Sequence, residues 1–328
     1  MQIRRIAIVG CGQMGSRHLV AIIKLGGQLN IQVVERNPSN HVLAQKRLQE
    51  VLTSGQSVEI KWYKDIAELD GLPDLTIVAT KAARRVEILR ELAKMGHNRF
   101  LIEKIVCQSV EEYDDLLETF ENLKIKAWVN CTRHYFSVYE KAIEVMRNDG
   151  ELIFNAMAGN IGLGCNAIHL LDLFLTMTGD HQNVHIDGRS LFPALLPNKR
   201  GKQFVEFAGS ITAKTGNQSF ATISFHHNNN SPLLINAMSK NWRLFVDEGN
   251  CKALMAAKKN DWQWEELEFK MRYSSELTTE VANSIMEEEN CKLPEIKDCY
   301  FIHKELFKIF NEHIKSICNE NVVLCPIT

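Results

Sequence analysis

The stretch "AIVGCGQMGSRH", residues 7–18, sets three glycines, Gly10, Gly12 and Gly15, directly behind a run of branched apolar residues. A G-x-G-x-x-G spacing is a weak signal on its own. Here "IRRIAIVG" reads as a strand and "MGSRHLVAIIKLG" as a helix, so the glycines fall on a strand-to-helix turn. A second strand, "IQVVER", ends on Glu35, 20 residues after Gly15. In a βαβ unit of this kind each part has a physical role. Gly10 permits the tight turn, Gly12 lets a diphosphate approach the backbone, and Gly15 lets helix and strand come close. The helix start offers unpaired N–H groups and partial positive charge. Glu35 is placed to accept hydrogen bonds from ribose hydroxyls. Its carboxylate repels a 2′-phosphate, which favours NAD; the adjacent Arg36 keeps NADP as the alternative. The expected cofactor contacts are Gly10, Gly12, Gln13, Met14, Gly15, Glu35, Arg36, Thr80, Glu103 and Lys104.

The alternation continues outward from this unit. Asn37-Pro38-Ser39 open a helix with proline near its first turn. "SVEIKWY", "DLTIVAT", "RFLIEK" and "IKAWVN" read as strands, and "RRVEILRELAKMG" and "VEEYDDLLETFENL" as helices between them. Strands alternating with helices imply a parallel sheet covered on both faces. From about residue 150 the pattern changes. "NAIHLLDLFLTMTG" reads as a helix with Asn166 at its cap and Gly179 at its end. Several β-rich runs then follow with no long helix between them, which implies a mostly antiparallel sheet. The expected fold is α/β, with a Rossmann-type parallel sheet domain over residues 1–125. An α+β domain with a large, open, mostly antiparallel sheet follows over 126–328. Tryptophans 242, 262 and 264 are read as sheet packing.

Bulk properties exclude some classes. The 328 residues are 45% apolar and 24% charged, with a net charge of −2. That balance gives no general attraction to nucleic acid or to a membrane surface. No apolar run approaches the ~18 residues of a membrane span, and the first apolar run is too short for a signal peptide. Nine cysteines without a C-x-x-C pair read as reduced thiols in the cytoplasm, with no disulfide and no metal site.

The chain resembles the Gfo/Idh/MocA family (glucose–fructose oxidoreductase, inositol dehydrogenase and rhizopine-catabolism proteins). The resemblance rests on "GCGQMGSRH", on Glu103-Lys104 at the end of the fifth strand, on Arg133 in "VNCTRHYF" and on "CNAIHLLD" at 165–172. The terminal "CPIT" points more weakly to a sugar-nucleotide or surface-polysaccharide branch. The resemblance implies an NAD- or NADP-dependent oxidoreductase acting on a sugar, cyclitol or nucleotide-sugar. It also implies a homodimer or homotetramer formed through the open sheet. Lys104 matches the family's catalytic lysine and His169 its histidine, both suited to proton transfer. Asp172, three residues on, lies on the same helix face and is placed to orient that imidazole or to cap a neighbour. Arg133, Cys165, Asn166, Asp172 and Arg85 complete the expected substrate contacts.

The departures carry weight. Cys165 replaces the family's first aspartate, Ile105 its proline, and Lys81 and Arg85 the proline and histidine of a common loop. Without proline the bond after Lys104 is expected to be trans, since a cis bond costs about 2.5–4 kcal/mol. These replacements motivate a second reading, a dinucleotide-binding sensor or scaffold that has lost turnover.

Overall fold

The computed structural model describes residues 3–52 and 57–328, which divide into two units. The first is built on six parallel strands: β1 (Arg4–Val9), β2 (Gln28–Val34), β3 (Ser57–Tyr63), β4 (Leu75–Val78), β5 (Arg99–Ile102) and β6 (Lys126–Val129). Their order is β3-β2-β1-β4-β5-β6. Helices α1 (Gly15–Ile23), α2 (Pro38–Gln49), α3 (Arg85–Lys94) and α4 (Val110–Asn122) make the crossovers. A strand covered on both faces has no polar side to show. Accordingly Ile6 to Val9, Leu75 to Val78 and Phe100 to Ile102 are buried without a break. Each large apolar side chain so enclosed contributes roughly 1.5–3 kcal/mol. Asn37-Pro38-Ser39 open α2 as expected, and Asn37 caps it by accepting the Ser39 N–H at 2.9 Å ahead of Pro38.

The second unit holds an eight-stranded sheet and the helices α5 (Ser137–Met146) and α6 (Leu163–Thr178). Its strands follow β7 (Ile153–Ala158) in chain order. They are β8 (His185–Leu191), the short pair β9 (Leu196–Pro197) and β10 (Val205–Glu206), β11 (Gly209–Lys214), β12 (Phe220–Phe225), β13 (Leu234–Met238), β14 (Trp242–Asp247), β15 (Lys252–Ala257) and β16 (Trp264–Leu267). The large sheet runs β16-β15-β14-β13-β7-β12-β11-β8. Only β7 and β12 pair parallel within it; the other neighbours are antiparallel. On β12 the side chains of Ala221, Ile223 and Phe225 are buried, while Phe220, Thr222 and Ser224 point the other way. Met157 and Met238 share that outer side at 48% and 43% exposure. An apolar stripe left this open is unusual for a face meant for water.

Two helices close the chain, α7 (Ser274–Glu288) and α8 (Tyr300–Cys318). Here the structure corrects the expected division at 125/126. The first unit comprises residues 1–107, 111–132 and 272–297, so it includes β6 and the late helix α7. Thr279 Oγ1 donates to the Ala21 carbonyl at 2.8 Å, and Lys24 Nζ to the Ser275 carbonyl at 3.2 Å, tying α7 to α1. No helix among the described residues is long and apolar enough to cross a membrane.

Candidate functional site

The turn between β1 and α1 separates three glycines by what holds each one. Gly10 has φ +83°, and a Cβ there would stand 2.9 Å from the Thr80 nitrogen. At Gly15 a Cβ would stand 1.9 Å from the Gly10 carbonyl oxygen. Both positions are therefore fixed by the protein's own packing. Gly12 is different. Its φ is unexceptional, and a Cβ would find only the Asn40 side chain, at an ordinary 3.5 Å. The fold leaves room there that a side chain would fill, and a diphosphate requires that room. No acidic residue lies in the first turn of α1, and Met14 supplies no side-chain cap. The positive end of the helix is thus unquenched by its own first turn.

Beside this turn lies a hollow of about 250 Å³ walled by Val9, Val34, Ile66 and Ile88. Glu35 and Thr80 are its polar groups nearest the glycines. Glu35 is held rigidly: one carboxylate oxygen accepts the Cys11 N–H at 2.7 Å and the other the Asn37 N–H at 2.8 Å. The Thr80 hydroxyl oxygen is buried without a hydrogen-bond partner. Arg36 bonds the Lys64 carbonyl at 3.1 Å and pairs with Asp65, and Arg84 pairs with Glu87 at 2.8 Å. Both guanidiniums at the hollow already have a carboxylate, while Glu35 and Glu91 line it too. An apolar-walled hollow with a fixed carboxylate suits an adenosine with free ribose hydroxyls better than one carrying a 2′-phosphate.

At the end of β5, Glu103 and Lys104 are both buried, at 5% and 7% exposure. Glu103 Oε1 accepts from His18 Nε2 at 3.0 Å and from Asn130 Nδ2 at 2.6 Å. The other ring nitrogen of His18 meets Thr278 Oγ1 of α7 at 2.8 Å. Burial pushes the Glu103 carboxyl upward, yet the bond and charge of His18, the charge of Lys104 and the Asn130 bond together bring it down to about 2. Glu103, expected against the cofactor, is thus held as an ionised anchor beside Lys104. Two further expectations are corrected here. The Lys104–Ile105 bond is cis. The carbonyls on either side of it, those of Glu103 and Ile105, both accept from the buried Arg85 guanidinium, which also takes the Thr80 carbonyl. Arg85 is 1% exposed. It braces this loop from within, because buried carbonyls need donors, where it was expected to contact substrate.

In the second unit, His169 lies half-buried on α6. Asp172 belongs to a different pair from the one expected: its Oδ2 accepts from His134 Nε2 at 2.6 Å, and its buried Oδ1 has no hydrogen-bond partner. Asn166 does not cap α6. The helix starts after Gly162, and the Asn166 amide donates back to the Ile161 and Gly162 carbonyls at 2.6 and 2.9 Å. Cys165 Sγ donates to the Thr328 carbonyl at 3.0 Å, so the residue replacing the family's aspartate rests against the chain itself. Arg133 forms a two-pronged pair with Glu248, both contacts at 2.9 Å, and Tyr139 Oη donates to the same carboxylate at 2.7 Å.

Sequence reasoning assigned no role to His18, Arg47, Asn130, Thr278, Glu206 or Glu248. His18 stood inside the quoted motif, and a histidine on the buried face of a helix was its one signal. Arg47, Asn130, Thr278 and Glu248 act across 27 or more residues of chain, and Glu206 reaches the Cys165 N–H across 41, where spacing carries no information.

Fold and first turn define a dinucleotide-binding Rossmann unit joined in one chain to an α+β unit. Residues 4–131 match the model of the Gfo/Idh/MocA oxidoreductases, a family with an NAD-binding Rossmann fold. Over that segment the chain is similar to this family. No curated protein matches the chain in sequence. Among solved structures, it is similar to a UDP-N-acetylglucosamine 3-dehydrogenase from Acidithiobacillus ferrooxidans, with TM-score 0.72, 13% identity and coverage of 97% and 99% of the two chains. An oxidoreductase from Agrobacterium radiobacter in complex with NAD+, L-tartaric acid and magnesium gives TM-score 0.71 and 14% identity, covering 96% of each chain. A super-repressor mutant of Gal80p from Saccharomyces cerevisiae gives 0.69 and 11% identity, over 96% and 97%. At these identities the likeness is one of fold.

Proposed function

We propose that the protein is an NAD-dependent dehydrogenase or reductase acting at a hydroxyl or carbonyl carbon of a sugar, cyclitol or nucleotide-sugar. The observation that carries this reading is the space kept over Gly12 beside a carboxylate, Glu35, already fixed in place. Gly10 to Gly15 hold the diphosphate, Glu35 the ribose, and Thr80 supplies a buried hydroxyl oxygen that lacks a partner. NAD supplies a hydride acceptor or donor when bound. Oxidising an alcohol also requires that its proton be taken, and Lys104, buried at the end of β5, is assigned that proton in its neutral amine form. His169 is assigned the substrate hydroxyl. The similarity to a nucleotide-sugar dehydrogenase supports that substrate class. The open sheet face, with Phe220, Met157 and Met238 outward, is assigned to a homodimer or homotetramer. A monomer mass in light scattering would remove that part alone.

A second reading has its own observation. Cys165 stands where the family's aspartate is implied, with its sulfur engaged by the Thr328 carbonyl. On that reading the protein binds a dinucleotide and does not turn over. One experiment separates the two. Purified protein is titrated with NADH by fluorescence and then incubated with NAD and a panel of sugars, cyclitols and nucleotide-sugars, with absorbance followed at the nicotinamide band. The enzyme reading expects turnover with at least one compound. It also expects Lys104→Ala and His169→Ala each to lose roughly 10²–10⁴ in rate while NADH binding survives. NADH binding without turnover across the panel leaves the second reading standing.

A further inference from the structure

The turn that receives the diphosphate is braced from outside by a residue of α2. Arg47 Nη1 donates to the Gln13 carbonyl at 2.8 Å and to Ser16 Oγ at 2.5 Å, and its Nη2 donates to Gln13 Oε1 at 2.7 Å. Ser16 in turn donates to the Gly12 carbonyl through its hydroxyl at 2.6 Å and its N–H at 3.0 Å. One guanidinium thus governs two successive peptide units. In a planar trans peptide the carbonyl and the N–H point in opposite directions. Turning the Gly12 carbonyl toward Ser16 aims the Gln13 N–H the other way, and turning the Gln13 carbonyl toward Arg47 does the same for the Met14 N–H. Successive N–H groups aimed to one side make an anion-binding concavity. Arg47 forms no ion pair with a carboxylate among the described residues; the strongest charge acting on it is another cation, Arg17, with Glu50 a weaker one.

We propose that Arg47 is a positioning residue for the dinucleotide, acting through Gln13 and Ser16 to hold the Gln13 and Met14 N–H groups toward the diphosphate. This rests on the cofactor reading given above. The geometry demands a fork: one lysine ammonium cannot donate along the two parallel directions that a guanidinium does. Charge and brace are therefore separable.

The test is NADH titration of the wild-type chain, Arg47→Gln and Arg47→Lys, with the melting temperature of each ligand-free protein measured alongside. Arg47→Gln is expected to raise the NADH Kd about tenfold or more, the effect of losing a charge-assisted hydrogen bond. Arg47→Lys is expected to raise it at least about threefold although the charge is retained. Both should melt within a few degrees of wild type, since Arg47 is only half-buried. Arg47→Gln binding like wild type overturns the proposal. Arg47→Lys binding fully like wild type also overturns it, because charge alone then suffices. If Arg47→Gln fails to fold, the lysine variant decides. Wild-type protein with no affinity for NADH removes the cofactor reading itself, an outcome distinct from equal affinity in all three proteins.

Discussion

Two glycine-rich turns in this chain join a strand to a helix: "GCGQMG" at 10–15 after β1 and "GNIGLG" at 159–164 after β7. As text they look alike. In the first, two glycines are demanded by the fold and the middle one is not. In the second, all three meet protein atoms. A Cβ at Gly159 would stand 2.4 Å from the Asn229 carbonyl oxygen. At Gly162 it would stand 2.7 Å from the Glu206 carboxyl carbon, and at Gly164 3.0 Å from Glu206 Oε2. The same carboxylate accepts the Cys165 N–H at 3.3 Å and the Asn198 amide at 3.3 Å. The amino end of α6 has thus already taken an anion from its own chain, while that of α1 has not. A helix start attracts negative charge wherever it occurs. It becomes a ligand site only where the chain declines to fill it.

The largest expected effect breaks the first turn. Gly15→Ala pushes a methyl group into the Gly10 carbonyl at 1.9 Å, where backbone meets backbone and nothing flexible can yield. Overpacking of that kind costs upward of about 3 kcal/mol, and the variant should fail to yield folded protein or melt many degrees lower. Gly12→Ala is its counterpart. With only the Asn40 amide at 3.5 Å, its melting temperature should stay within about 1 °C of wild type, equivalent to under about 1 kcal/mol. Its NADH affinity should nevertheless fall by about tenfold or more, because the methyl group occupies the ligand's space. A Gly12→Ala protein that binds NADH normally would show that the space over Gly12 is incidental. The contrast between the two turns would then lose its meaning.

The same contrast explains how much could be read beforehand. The strands and helices of the first unit follow short-range patterns, and the helix opening at Asn37-Pro38-Ser39 and the six strands appear where the text places them. Glu35 too was legible, since its partners Cys11 and Asn37 flank motifs of known shape. In the second unit the partners are distant. Asp172 was read against its helix neighbour His169, but tertiary packing brought His134 closer. Arg133 was read as a substrate contact, and Glu248 lies 115 residues further on. The strand β15, "KALMAA", is rich in helix formers and owes its state to pairing with β14 and β16. No spacing rule reaches such partners. Lys104 was singled out by motif, whereas the residues that hold its neighbour Glu103 and the carbonyls flanking it, His18, Asn130 and Arg85, required coordinates.

The smallest effect sharpens the comparison from the other side, by emptying the second turn. Glu206→Ala removes the carboxylate that sits at the start of α6 and leaves the Cys165 N–H without that acceptor. The loss of charge at a partly buried helix start, together with an unpaired donor, amounts to about 1–2 kcal/mol. Thermal melting should register this as a drop of a few degrees. The informative step follows. Added phosphate should raise the melting temperature of Glu206→Ala more than that of wild type, because a free anion can then take the vacated position. General salting-out acts on both proteins alike and cancels in the difference. Equal shifts in the two proteins would mean that Glu206 fills space at α6 without standing in for a ligand. The two turns would then differ in packing alone, and the open start of α1 would need a different explanation from the one its glycines give.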